Sequence, residues 1–200
     1  LRGSACDTGD GLRMVLDAGG SAASLPYFYG HLLSLKCLVD DRFWPYPRVD
    51  SLIADGILVN RAGQRFVDEG RGDVAVSNVL ARGDDPRGAC LIFGQTAWDA
   101  ALQRDVAVAV RLPGPNPWLK DNDGDLHCGD SATELARQLG IDPDNLSSTI
   151  EAFNRGSGLP VPRTAKPEPL RPPFYGLRVV PGITVTMGGI RIDGRMQALD

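Results

Sequence analysis

The chain has 200 residues, 42% hydrophobic and 23% charged, with a net charge of -4. That balance suits one soluble globular domain with a real core. It gives no compositional case for binding nucleic acid or an anionic membrane, and no apolar run reads as a membrane span or a signal peptide.

Cys6, Cys37, Cys90 and Cys128 are widely spaced, with no CxxC pair. This predicts four reduced, mostly buried thiols in a cytoplasmic protein and no metal site. Asp7 to Gly20 reads as a helix, with Thr8 as N-cap, an apolar stripe of Leu12, Val15 and Leu16, and Gly19-Gly20 as its end. Asp10 in its first turn suits the helix dipole without any further role. Ser21 to Leu38 is apolar and aromatic around His31; a lone histidine in such a run is more often a satisfied core residue than a catalyst. Asp40 to Asp50 is a loop punctuated by Pro45 and Pro47, with Trp44 and Tyr46 as cover for the core. Ile57 to Asn60 reads as a strand, Arg61 to Gln64 as a turn and Arg65 to Val67 as the return strand. On residue chemistry alone, the charges from Arg65 to Arg71 form a surface ion-pair cluster. Asp73 to Ala81 reads as a helix, Ala89 to Phe93 as a buried strand and Gln95 to Gln103 as a short helix.

Asp105 to Asp130 reads as irregular because of Pro113, Pro115 and Pro117. Asp121 to Asp125 imitates the start of a calcium loop, but Ala132 stands where the bidentate glutamate belongs, which leaves a solvated turn. Ser131 to Leu139 is a helix closed by Gly140, and Asp142-Pro143 opens the next in N-cap and N1 order, running to Asn154. Arg155 to Arg171 reads as a mobile Gly/Pro-rich connector. Phe174 to Val180 reads as a strand stopped by Pro181-Gly182, and Ile183 to Met187 as a second, half-buried strand. Gly188-Gly189 then bares the backbone before Ile190 to Arg195, which runs into a turn at Asp193-Gly194. Local chemistry favours a tight hairpin there over close approach to a flat ligand. No G-x-G-x-x-G occurs.

Three ordered stretches carry a resemblance. They are Thr8-Gly9-Asp10-Gly11, the run from Gly56 to Glu69 (GILVNRAGQRFVDE), and Pro172 to Asp193 (PPFYGLRVVPGITVTMGGIRID) followed by Ala198-Leu199-Asp200. Together they resemble the flavoprotein family of soluble fumarate reductases, succinate dehydrogenase flavoprotein subunits, tricarballylate dehydrogenases and ketosteroid dehydrogenases. The resemblance implies an α+β substrate-capping domain, with residues 1–20 and 171–200 as connections to an FAD-binding domain absent from this chain. It implies FAD contacts at Thr8, Gly9, Asp10, Val185, Thr186, Met187, Gly188 and Gly189, and a substrate contact at Thr184. It also implies catalytic roles for His31, Glu69 and, less directly, Arg71, with Glu69 on the route of a proton. His31 and Glu69 are then expected on one open face with the Thr184 to Gly189 step.

Two departures accompany it. Trp98 stands where the reductases carry their acid arginine, and Thr184-Val185 precede the TMGG run where they carry histidine. The function implied is oxidation or reduction of a carbon–carbon bond beside a carboxylate or carbonyl, by hydride exchange with flavin N5. A small carboxylate or ketone is the expected partner. A ketosteroid-type dehydrogenase and a catalytically silent binding module stand as alternatives. Under the catalytic reading, Glu69→Gln is expected to lower turnover far more than stability.

Overall fold

The run from Ala89 to Gly94 is apolar without alternation because both of its faces are covered. In the computed structural model, which describes residues 6–39, 49–106, 114–122, 125–165 and 168–200, it forms β4, buried at every position. Alternate side chains feed two cores. Leu91 and Phe93 join Leu58, Leu177 and Val179 on one side. Cys90 and Ile92 join Ile57, Val59, Leu135, Leu139 and Ile150 on the other.

The chain divides into two units, residues 31–181 and residues 1–30 with 182–200. In the larger unit, α2 (Leu35–Val39), α3 (Asp50–Asp55), β3 (Ile57–Val59), α4 (Asp73–Arg82), β4, α5 (Gln95–Val106), α6 (Pro115–Asn122), β5 (His127–Gly129), α7 (Ala132–Leu139) and α8 (Pro143–Arg155) follow in order. The sheet order is β2-β6-β4-β3, where β2 is Phe28–Ser34 and β6 is Phe174–Thr186, and β5 also pairs with β6. Pairing is antiparallel from β3 to β4, β4 to β6 and β5 to β6, with Leu91 opposite both Leu58 and Leu177. The architecture is α+β, as expected.

The caps that sequence chemistry names are in place on α7 and α8. Ser131 Oγ accepts from the Glu134 amide, Asp142 Oδ1 accepts from Asn145, and Gly140 takes the left-handed conformation that closes α7. Four expectations change. Phe174 to Thr186 is one strand, not two: Pro181 costs one donor but its φ suits extended backbone. The return segment after β3 makes a single bridge, Val59 to Arg65, instead of a strand. Within the stretch read as irregular, residues 115–122 are helical, with non-helical dihedrals at Asn116, and 127–129 form β5. Val161 to Ala165, read as part of a mobile connector, is tied down by side chains described below. The Asp40 to Asp50 loop lies outside the described residues as far as position 48, with Trp44 and Tyr46, and so do 123–124 of the acidic turn.

In the smaller unit, α1 runs Asp10–Asp17 and β1 (Ala22–Ala23) pairs antiparallel with β7 (Gly189–Ile190). The helix is shorter than expected and is capped by Gly9 in the left-handed region (φ 76°), not by Thr8, whose hydroxyl donates to Asp10 instead. None of its residues is buried.

None of the four cysteines is in a disulfide; Cys37 and Cys90 are buried, while Cys6 and Cys128 are exposed, so burial holds for only half of them. Burial pushes the Cys90 thiol up to about 11, with Arg178 and Arg61 pulling weakly back. Because this lies above the ordinary value of 9.0, the folded state holds the proton more tightly. Its contribution to stability is intact below pH 9 and is lost as pH rises through about 11. A thiol-reactive chromophore at pH 8 is expected to label two cysteines promptly and the other two only on unfolding. Prompt reaction of all four would contradict this burial.

Candidate functional site

Of the expected catalytic residues, His31 and Glu69 fall in two buried constellations of the larger unit. His31 lies on β2 and is 5% exposed. Its Nδ1 is 2.8 Å from Asp50 Oδ2, at the start of α3, and 2.8 Å from Asp73 Oδ2, at the start of α4. Two helix N-termini therefore present carboxylates to one ring, positions where acidic residues are favoured by the dipole. The three side chains are spaced closely enough to share a cation, but a histidine between two acids needs none for its geometry.

Glu69 opens a one-turn 3-10 helix, Glu69–Arg71, and its side chain has no exposed surface. Oε1 accepts from the Leu58 amide at 2.8 Å and from Arg65 Nε at 3.0 Å. Oε2 accepts from Arg65 Nη2 at 2.8 Å and from Arg163 Nη1 at 3.0 Å. Burial pulls the Arg163 guanidinium below its ordinary value, with Glu69 pushing it back up and Arg65 lowering it further. Neither His31 nor Glu69 sits on an open face, a correction to the expectation, and the ion pairs at Arg65 are buried instead of solvated. Arg71 is exposed on the same turn.

Phe93, Trp98 and Tyr175 form a stack, with centroids 5.5 to 6.1 Å apart. Trp98 is 5% exposed, and Tyr175 donates to Gln95 Oε1 at 2.7 Å. The position aligned with the reductases' arginine is thus a packing element.

In the smaller unit, Thr8, Gly9, Asp10 and Thr184 to Met187 are exposed, with Val185 at 58% and Met187 at 61%. Asp10 is paired with Arg13 and Thr8, which hold its carboxyl below the usual range, Thr8 more than Arg13. The two glycines do different things. A Cβ on Gly188 would come 2.6 Å from the Leu25 backbone, so the chain passes the turn after β1 closely there. A Cβ on Gly189 would meet nothing within 4 Å, while its backbone lies opposite Ala23 in the β1–β7 pair. The tight hairpin expected across the pair does not form: Gly189–Ile190 pairs with Ala22–Ala23 and not with the strand that ends at Thr186.

Sequence reasoning missed Arg163, Asp50, Asp73 and the pairing role of Arg65. Arg65 carried a signal, four residues before Glu69. Arg163 is 94 residues from its partner and carried none.

A sequence profile described as an FAD binding domain (FAD_binding_2) matches residues 3–200. The chain belongs to this family. A 3-oxosteroid 1-dehydrogenase of Mycolicibacterium smegmatis is 32% identical over 175 residues, covering 72% of this chain and 30% of that protein. A fumarate reductase (cytochrome) of Shewanella frigidimarina is 28% identical over 96% of this chain and 31% of its own length. The crystal structure of a 3-ketosteroid-delta4-(5alpha)-dehydrogenase from Rhodococcus jostii RHA1 superposes with a TM-score of 0.62 at 20% identity, over 96% of this chain and 36% of that one; this likeness speaks for the fold. The chain spans under two fifths of the length of these relatives. FAD is the family's cofactor. Among the described residues no helix is long and apolar enough to cross a membrane.

Proposed function

We propose that this chain is the substrate-capping part of an FAD-dependent oxidoreductase that works on a carbon–carbon bond beside a carbonyl or carboxylate. The family match over residues 3–200 carries the reading. The open space beside Gly189, where a side chain would stand, and the exposed strand end from Thr184 fit a flat ring; the sequence has no G-x-G-x-x-G to go with them. FAD, when bound, supplies hydride acceptance or donation at N5. Val185 to Gly189 and Thr8 to Asp10 are the residues that would hold it. Thr184 offers a hydroxyl to the substrate; in the larger unit, His31 is fixed by Asp50 and Asp73. Glu69 carries the second proton, with Arg71 beside it on the turn.

A neutral ketone substrate is favoured over fumarate. A buried Trp98 in the aromatic stack supplies no proton, and Thr184 supplies none near neutral pH.

FAD titrated into the chain of residues 1–200 is expected to bind weakly or not at all, and the complete flavoprotein is expected to copurify with it. With an artificial electron acceptor, the complete protein should turn over a cyclic 3-ketone faster than succinate. Tight stoichiometric FAD binding by the 200-residue chain would move the cofactor site. A flavin-free complete protein would sink the proposal.

A further inference from the structure

Residues 159–165 belong to no helix or strand, yet their neighbours hold them at many points. Arg65 Nη1 donates to Val161 O at 2.6 Å and Nη2 to Pro162 O at 3.1 Å. Arg163 Nη1 donates to Gly56 O at 2.6 Å and Nη2 to Ala54 O at 2.8 Å, and its guanidinium lies 5.1 Å from the centre of the Phe153 ring. Asp68 Oδ1 accepts from the Thr164 amide at 3.1 Å. A Cβ on Gly70 would sit 2.5 Å from Ala165 N, so the segment touches the Glu69 turn where only glycine fits.

These contacts converge on one carboxylate. Glu69 joins Arg65, which is on its own hairpin, to Arg163, which arrives with the segment. The Arg65 pair is local and bidentate, and it survives if the segment leaves. The Arg163 pair does not. We propose that residues 159–165 form a strap latched through Glu69 and Arg163, and that the position of the strap controls access to Glu69. Arg163 is then a positioning residue: docked, it seals the carboxylate; withdrawn, it opens it. The inference rests on Glu69 being the proton carrier for its functional meaning, but the latch itself is testable without that role.

The test is chemical access in the complete protein. Glu69 is labelled with a carbodiimide and an amine and read by mass spectrometry, with Glu151, 70% exposed, as the reference carboxylate. In the wild type Glu69 should stay unlabelled while Glu151 reacts. Arg163→Gln keeps the Arg65–Glu69 pair, and is expected to speed both Glu69 labelling and Thr164 amide exchange by at least about tenfold, with β4 amides unchanged. If Arg163→Gln loosens β4 as well, Arg163→Lys serves, since it keeps the charge and loses the planar fork. Unchanged labelling and exchange in a folded variant overturn the latch. So does wild-type Glu69 reacting as fast as Glu151, or loss of the β4 amides in both variants, because the strap would then be inseparable from the core. Turnover of Glu69→Gln separates the two ideas: normal turnover removes the proton-carrier role and leaves the latch standing.

Discussion

Glu69→Ala is expected to destabilise the fold by about 3–5 kcal/mol, the usual cost of removing one partner from a buried ion pair. In a chain of this size that corresponds to a fall in Tm of roughly 6–20 °C. The cause is what remains: Arg65 and Arg163 keep their guanidiniums enclosed, with side-chain exposures of 0% and 3%, and lose the carboxylate that both of them bond. The Leu58 amide loses its acceptor as well. Arg65 and Arg163 still bond to main-chain carbonyls, which keeps the cost at the scale of one pair. Replacing all three residues with apolar side chains of similar volume should be far milder than Glu69→Ala, since it removes the buried charges together. Thermal melts of the single and triple variants decide it. A Glu69→Ala protein that melts within 2 °C of the wild type, on the order of 1 kcal/mol or less, would mean that the charges are solvated. This bears on the expectation that Glu69→Gln lowers turnover far more than stability, which treated the carboxylate as a surface group. A carboxylate with four charged or amide donors and no exposed surface cannot be removed without affecting the fold, whatever it does in turnover.

What the sequence disclosed depended on how local the physics was. β4 was readable because a sheet covered on both faces needs an unbroken apolar run. The α7 to α8 turn was readable because Ser131, Gly140, Asp142 and Pro143 each satisfy backbone groups within a few residues. The continuity of β6 was not, since Pro181 is a stop signal in local rules and becomes harmless where a strand does not need that donor. α6 was hidden by Pro115 and Pro117 in the same way. At the site, His31 and Glu69 were found by resemblance. Their partners Asp50, Asp73 and Arg163 come from 19, 42 and 94 residues away, and nothing in their own neighbourhoods marks them. The environment of a charged residue is a long-range property. A surface ion-pair cluster and a buried clamp are identical in a run such as Arg65 to Glu69, and only the strap that arrives later separates them.

Trp98→Arg introduces the residue type that the resemblance to the reductases implies for this position, and is expected to damage this protein without giving it an acid. Trp98 is 5% exposed and stacks against both Phe93 and Tyr175, and its main-chain oxygen accepts from Asn116 at 2.9 Å. Truncation to alanine would cost about 3–5 kcal/mol, as large aromatic residues do in a core. Arginine loses the same packing and adds a charge. The core cluster around Trp98 also contains Ala97, Ala101, Leu119 and Leu177. An unpaired charge there adds several kcal/mol unless the side chain swings out, and swinging out leaves the cavity behind. Trp98→Phe should keep most of the stacking and cost far less than either. Urea titrations of the three variants give the order Phe, then Ala, then Arg, and fumarate reduction by the complete Trp98→Arg flavoprotein should stay at background. A stable arginine variant with new fumarate activity would overturn this, for it would place position 98 at an open substrate site and not in the core. The order expected here follows from the stack: a position built to be filled by a ring cannot also hold a hydrated cation.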